Sequence, residues 1–507
     1  MNQAQKDYEA LCRVSIHCKT LQGVQQLLHW DQETYMPPKG VGIRTEQLKI
    51  LSGIIHREKT GRRFGSALKK LVDVKTGALM QEGLTLPQQA ALREWRRDYL
   101  RDTQLPRTFV EKFSKLASES LYAWEHAKNN EDFQSFLPFL EKIVYMCRKK
   151  ADLIGYQDHP YDPLLDAYEP EMTTKEIHTL FHPLKTFVLQ LLKTIRSAKQ
   201  VDDHFLKVPV SVAKQFSFGK RLLSLISHSL ECCRLDVSAH PFCSSSHPTD
   251  NRFTTHLVLK DPMTNIFSIL HECGHAFYDM GVPEEHYGSP LGEPISFGIH
   301  ESQSRWWETL IGRSKPFWEL LLPIMKKHFK GKFDSIPLDA FWKAINRVEP
   351  SLVRVEADEV TYSLHVILRF ELELALIEGT LAPKEVPEAW NENMRQLLGV
   401  VPTNHSQGCL QDPHWSLGDF GYFPTYTLGN LYASHLFEEF EKTFPGWEQL
   451  IAKGTLTFLK EWLSQEVYQH GRRYTGKELL KKVSGRPVSI KAFTSYLQAK
   501  YASIYNL

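Results

Sequence analysis

The chain has 507 residues, 61 basic and 59 acidic, giving a formal net charge of +2 with histidines neutral. An apolar content of 42%, a charged content of 24%, 28 glycines and 27 prolines exclude a disordered or fibrous chain. The near balance of charge argues against a general binder of nucleic acid or anionic membrane, which carries a basic excess. At roughly 150 residues per domain, the length prior is about three domains.

The N-terminal stretch MNQAQKDYEALCRV carries charges inside its apolar run and does not read as a secretory signal. No window approaches the roughly 18 uncharged apolar residues that a membrane span needs. The eight cysteines, Cys12, Cys18, Cys147, Cys232, Cys233, Cys243, Cys273 and Cys409, are scattered. They form neither a disulfide framework nor a paired Cys-x-x-Cys zinc site, and free thiols in a reducing cytoplasm are expected.

The first helical pattern runs from Tyr8 to Trp30, with Leu11, Val14, Ile16, Leu21, Val24, Leu27 and Leu28 mostly three or four residues apart. Met36-Pro37-Pro38-Lys39-Gly40 breaks it. Amphipathic helical stretches follow at 43–56, 87–99, 107–127, 133–154, 174–198 and 210–232. The best strand candidate is Arg252 to Leu259, rich in β-branched residues. The basic run Lys326 to Lys332 reads as a solvated face. With no repeat and no low-complexity linker, residues 1–507 read as one all-α domain with minor β elements.

Chemistry concentrates at His271-Glu272-Cys273-Gly274-His275. Asp261 is placed to cap a helix with Pro262 at its first position, and the helix is expected to run to Gly281, with Pro283 preventing continuation. Within it His271 and His275 are one turn apart on one face, spaced to share a tetrahedral metal ion. Glu272, rotated by about 100°, reaches the attacking water without being a ligand. Cys273 points roughly away from His271 and reads as packing. Gly274 costs about 1 kcal/mol relative to alanine in mid-helix, so something is expected to approach the backbone closely there.

A third ligand is needed. Tyr278 and Gly281 stand where the metzincin extension requires glycine and histidine, which excludes that class. The alternative is a glutamate from a following helix, and the candidates are Glu284, Glu285, Glu293, Glu301 and Glu308. Glu284 and Glu285 lie too near the helix end, and Glu293 precedes a proline. Glu301 opens the helical run HESQSRWWETLIG with enough chain for an antiparallel return. Glu308 is the reserve, or a partner for a ligand histidine. Such a site implies hydrolysis, with Glu272 moving the proton from water to the leaving amine.

The motif, followed by His300-Glu301-Ser302-Gln303-Ser304, resembles the thermostable metallocarboxypeptidase family typified by carboxypeptidase Taq. Further matches are His240-Pro241-Phe242, Asp250-Asn251-Arg252-Phe253-Thr254 and the run Gly408 to Trp415, which carries Gln411, Asp412 and His414. Trp30 to Thr34 with Met36-Pro37, and Leu165-Asp166 with Tyr168-Glu169-Pro170, extend the likeness over almost the whole chain. Asn251 and Phe253 depart from the aliphatic residues expected in their slots. The resemblance implies an all-α saddle-shaped fold with a deep groove, a homodimer, and removal of C-terminal residues from peptides with a free C-terminus. It assigns one divalent ion per chain, zinc or cobalt, to His271, His275 and Glu301, and the acid/base role to Glu272. By local similarity Arg354 and Tyr426 receive the substrate carboxylate, with Arg252, Arg347, Arg369 and Tyr422 as rivals. His240 and His414 are expected to donate hydrogen bonds near the groove, and Asp250 and Arg252 to pair at its closed end. Two other readings stay open: an endo-acting helical oligopeptidase, and a non-catalytic interaction protein with a structural metal site.

Overall fold

The computed structural model describes residues 2–226 and 231–507. Helices hold 68% of the residues, so the all-α expectation stands. Among the described residues no helix is long and apolar enough to cross a membrane. The chain divides into two compact units: Met1–Thr103, Asp203–Ile345 and Leu436–Pro487 form the first, and Gln104–Asp202, Asn346–His435 and Val488–Leu507 form the second.

In the first unit the opening helix spans Gln3–Thr34 and ends before the proline pair, as its breaker predicts. Its first half buries Tyr8, Leu11 and Val14 against Phe64, Leu68, Leu92 and Trp95. Beyond Val14 it does not follow the pattern throughout: Ile16, Val24 and Leu27 are exposed. There the helix meets a strand instead, at Gly23, where a Cβ would stand 2.7 Å from the carbonyl oxygen of Ser246. Helices Val41–Thr60 and Leu86–Gln104 match expected stretches. The stretch 210–232 is found as Val212–Ile226; residues 227–230 lie outside the described residues, and a strand follows.

That strand, β1 (Cys233–Val237), joins β2 (Cys243–His247) and β3 (Asp250–Thr255) in a sheet ordered β1-β3-β2. β1 runs parallel to β3 with Cys233 opposite Asn251, and β2 runs antiparallel with Ser244 opposite Arg252. The expected strand is therefore real but starts earlier and stops at Thr255, because Val258 bridges to Asp261 in a turn that delivers the chain to the next helix.

In the second unit, Arg107–Asn129, Phe133–Ile154 and Thr174–Ser197 reproduce the expected helices. Asp132 and Thr173 cap the last two through side-chain oxygens that accept backbone N–H groups. Tyr362–Glu378 is buried on nearly every face and ends at Gly379 in the left-handed conformation.

Candidate metal centre and substrate-binding residues

The motif helix spans Pro262–Gly281, with the Asp261 side chain accepting from the N–H groups of Met263 and Thr264. The next long helical run is Phe297–Arg305, continued by a π-helical turn at Trp306–Ile311. The two runs approach closely at Gly274, where a Cβ would stand 2.3 Å from the carbonyl oxygen of Gln303 and 2.6 Å from the Cα of Ser304. Gly274 is thus the residue that lets the second helix close on the first.

This approach brings His271, His275 and Glu301 together, with one ligand atom of each within 4.8 Å of the others. The Nε2 atoms of His271 and His275 face Glu301 Oε2 at 3.9 and 3.6 Å. Glu301 Oε1 is buried without a hydrogen-bond partner. A buried carboxylate oxygen left unpaired is costly, and a cation beside two imidazoles would satisfy it, so the donor set fits a divalent ion. No other such group of donors occurs among the described residues. Cys273 is fully buried and not in the group, as its helix position predicts.

Glu272 is buried in the same turn. Burial pushes its carboxyl up to about 7; His271 opposes the rise and Glu301 adds to it. Glu308, the reserve choice or partner for a ligand histidine, accepts from His271 Nδ1 at 2.9 Å and from Arg305 at 2.9 Å. Burial opposes ionisation of Glu308, but Arg305 and His271 outweigh it and hold the group well below the usual carboxylate range. Glu293 pairs with Lys19 at 3.0 Å and Arg472 at 3.3 Å. Trp306 and Trp307 are fully buried core residues.

His240 and Arg252 lie in the first unit, His240 beside the sheet and Arg252 within β3. His240 is exposed in the turn before β2, and its carbonyl accepts from Ser238. Arg252 pairs with Asp250 at 2.9 Å and stacks 4.4 Å over Trp30, so its charge is already engaged.

Arg354, His414 and Tyr426 form a separate cluster in the second unit. Arg354 is buried and donates to Asp412 at 2.9 Å and to the Tyr362 hydroxyl at 3.1 Å. It also stacks 4.5 Å over Tyr426, whose hydroxyl lies 3.1 Å from His414 Nε2. Of the rival arginines, Arg347 pairs with Glu349 at 3.0 Å, while Arg369 is fully buried and shares Asp412 with Arg354. Tyr422 packs on Tyr168 and on His414, at 5.0 and 5.2 Å. Burial opposes ionisation of Asp412, but the two guanidiniums hold it well below the usual carboxylate range. Two functional candidates carried no role at the sequence level: Asp412, which bridges the arginines, and Asp279, which accepts from His300 at 3.1 Å. Asp279 had a signal, since it continues the four-residue spacing of His271 and His275.

The family model of the carboxypeptidase Taq (M32) metallopeptidases matches residues 11–501. Thermostable carboxypeptidase 1 of Thermus thermophilus is 40% identical, covering 98% of this chain and 99% of its own. Carboxypeptidase 1 of Bacillus subtilis is 34% identical, over 99% and 98%. Among solved structures, the M32 carboxypeptidase from Deinococcus radiodurans superposes with a TM-score of 0.95 at 31% identity, over 99% and 100% of the two chains. Metallocarboxypeptidase 1 of Trypanosoma cruzi gives 0.91 at 32%, over 98% and 99%. A helical peptide hydrolase of the metallocarboxypeptidase class is thereby defined. The chain belongs to the carboxypeptidase Taq (M32) metallopeptidase family.

Proposed function

We propose that His271, His275 and Glu301 hold one divalent ion, zinc before cobalt, and that Glu272 is the acid/base of C-terminal peptide hydrolysis. The observation that carries this is that Glu301 faces two imidazole Nε2 atoms through Oε2, while its buried Oε1 has no hydrogen-bond partner. When bound, the ion supplies a Lewis acid that polarises the scissile carbonyl and lowers the pKa of water. Glu272 takes a proton from the attacking water and returns it to the leaving amine, a transfer that a buried carboxyl with a pKa near 7 makes in both directions.

Arg354 and Tyr426 receive the substrate's terminal carboxylate. Support comes from charge: Arg354 and Arg369 share the single carboxylate of Asp412, leaving one guanidinium charge to be met. His414 is held neutral, its pKa pushed down to about 3 by burial and by Arg354 and Arg369, with Asp412 opposing, so it serves as a neutral donor or acceptor. His240 is read as a hydrogen-bond donor to substrate, and Arg252 as shaping its binding site. Each unit is built from three separated segments, which supports reading residues 1–507 as one catalytic domain. The protein is read as a cytoplasmic homodimer.

Glu272→Gln tests the mechanism. It should keep the metal and lose about 10²- to 10⁴-fold in kcat. A fully active, metal-loaded variant would refute the role of Glu272.

A further inference from the structure

The two histidines facing Glu301 are backed unequally. His271 rests its Nδ1 on the Glu308 carboxylate, at 2.9 Å. His275 rests its Nδ1 on another imidazole, the Nδ1 of His300, at 2.6 Å. His300 in turn places Nε2 3.1 Å from Asp279 Oδ1. Asp279 lies one turn beyond His275 on the motif helix, and His300 immediately precedes Glu301.

We infer that His300 and Asp279 form a directed hydrogen-bond relay that fixes the tautomer and ring orientation of His275, making both of them positioning residues of the metal centre. The inference rests on the proposed reading of His271, His275 and Glu301 as ligands. Valence then determines every link. A neutral imidazole has one N–H and one lone pair. His275 offers the lone pair of Nε2, the atom 3.6 Å from Glu301 Oε2, so its proton sits on Nδ1. That proton can be donated to His300 Nδ1 only if the latter carries the lone pair. The proton of His300 is then on Nε2 and is donated to Asp279. Asp279, which accepts through Oδ1, terminates the chain and sets its direction.

Packing holds the relay in place. The His300 ring lies 4.7 Å from the His275 ring and 5.3 Å from that of Tyr278. Tyr278 is itself fixed, because its hydroxyl accepts from the N–H of Ile295 at 2.9 Å. One rival acceptor exists: the backbone carbonyl of His300 also lies close to His275. Replacing the side chain leaves that carbonyl in place, so the two can be separated.

The test is the dissociation constant of zinc, and separately of cobalt, for the full chain, measured by competition with a chelator. His300→Leu should weaken binding about 10- to 100-fold, the usual effect of removing a group that orients a ligand. His300→Asn, whose Oδ1 can stand near the former Nδ1 position, should restore most of that loss. Asp279→Ala should weaken binding, and adding it to His300→Leu should cost little more, since the relay is then already broken. Wild-type affinity in His300→Leu would overturn the inference and hand the role to the backbone carbonyl. Equal loss in His300→Leu and His300→Asn would overturn it in favour of simple packing. His271→Ala checks the ligand reading independently: if it binds metal as tightly as wild type, that reading fails, whatever the His300 variants do.

Discussion

His365, Arg369 and Glu373 stand four residues apart on one stripe of the helix Tyr362–Glu378, and all three are fully buried. Each is answered differently. Glu373 accepts from Tyr161, Trp415 and the N–H of Gly421. Arg369 lies between Trp390 and Phe423 and donates to Asp412 and Gln411. His365 is kept neutral: burial, with Arg369 and Arg354 adding to it, pushes its pKa from 6.5 down to about 3. Between those two values the unfolded chain binds a proton that the folded chain refuses. Stability should therefore fall as the pH falls below about 6.5, by about 1.4 kcal/mol per unit for this residue. Urea unfolding of wild type and His365→Leu at about pH 7 and about pH 5 checks this, with a pH-dependent loss smaller by about 2 kcal/mol expected in the variant. An identical loss in both proteins would contradict it.

Among the elements, the contact of the motif helix with Phe297–Arg305 sets the geometry of the candidate centre. Alanine at 274 would gain about 1 kcal/mol of helix propensity. Its Cβ would also collide with backbone atoms of Gln303 and Ser304, which cannot rotate away. Overpacking of this kind costs about 1–3 kcal/mol, so Gly274→Ala should lower the melting temperature. It should also weaken metal binding, because it forces Glu301 away from the histidines. A variant with unchanged melting and metal affinity would show that the close approach is dispensable. The motif helix was legible in the sequence because its signals are local: the Asp261 cap, Pro262, and histidines one turn apart. That Glu301 would lie beside the histidines was legible from its run, which has enough chain for an antiparallel return and also carries the reserve, Glu308. β1 and β2 were not. Their sequences, CRLDV and CSSSH, lack alternation, and pairing with β3 rather than composition makes them strands. The π-helical turn at Trp306–Ile311 likewise has no local signature. Nor did periodicity show that Ile16, Val24 and Leu27 would stay exposed, because it reports a face and not what covers it.

For the whole molecule, 507 residues correspond to about three domains by length alone, whereas contacts gather the chain into two units, each from three segments. His271, His275 and Glu301 lie in one unit, and Arg354, His414 and Tyr426 in the other. A near-neutral net charge supplies no strong long-range field for steering charged substrates. The most direct measurement is mass spectrometry of one peptide, with a free and with an amidated C-terminus, after the full chain is stripped with a chelator and zinc is restored. Stepwise loss of C-terminal residues from the free peptide alone, and only after zinc is returned, is the predicted result. Equal cleavage of the amidated peptide, or cleavage by the stripped protein, would contradict it.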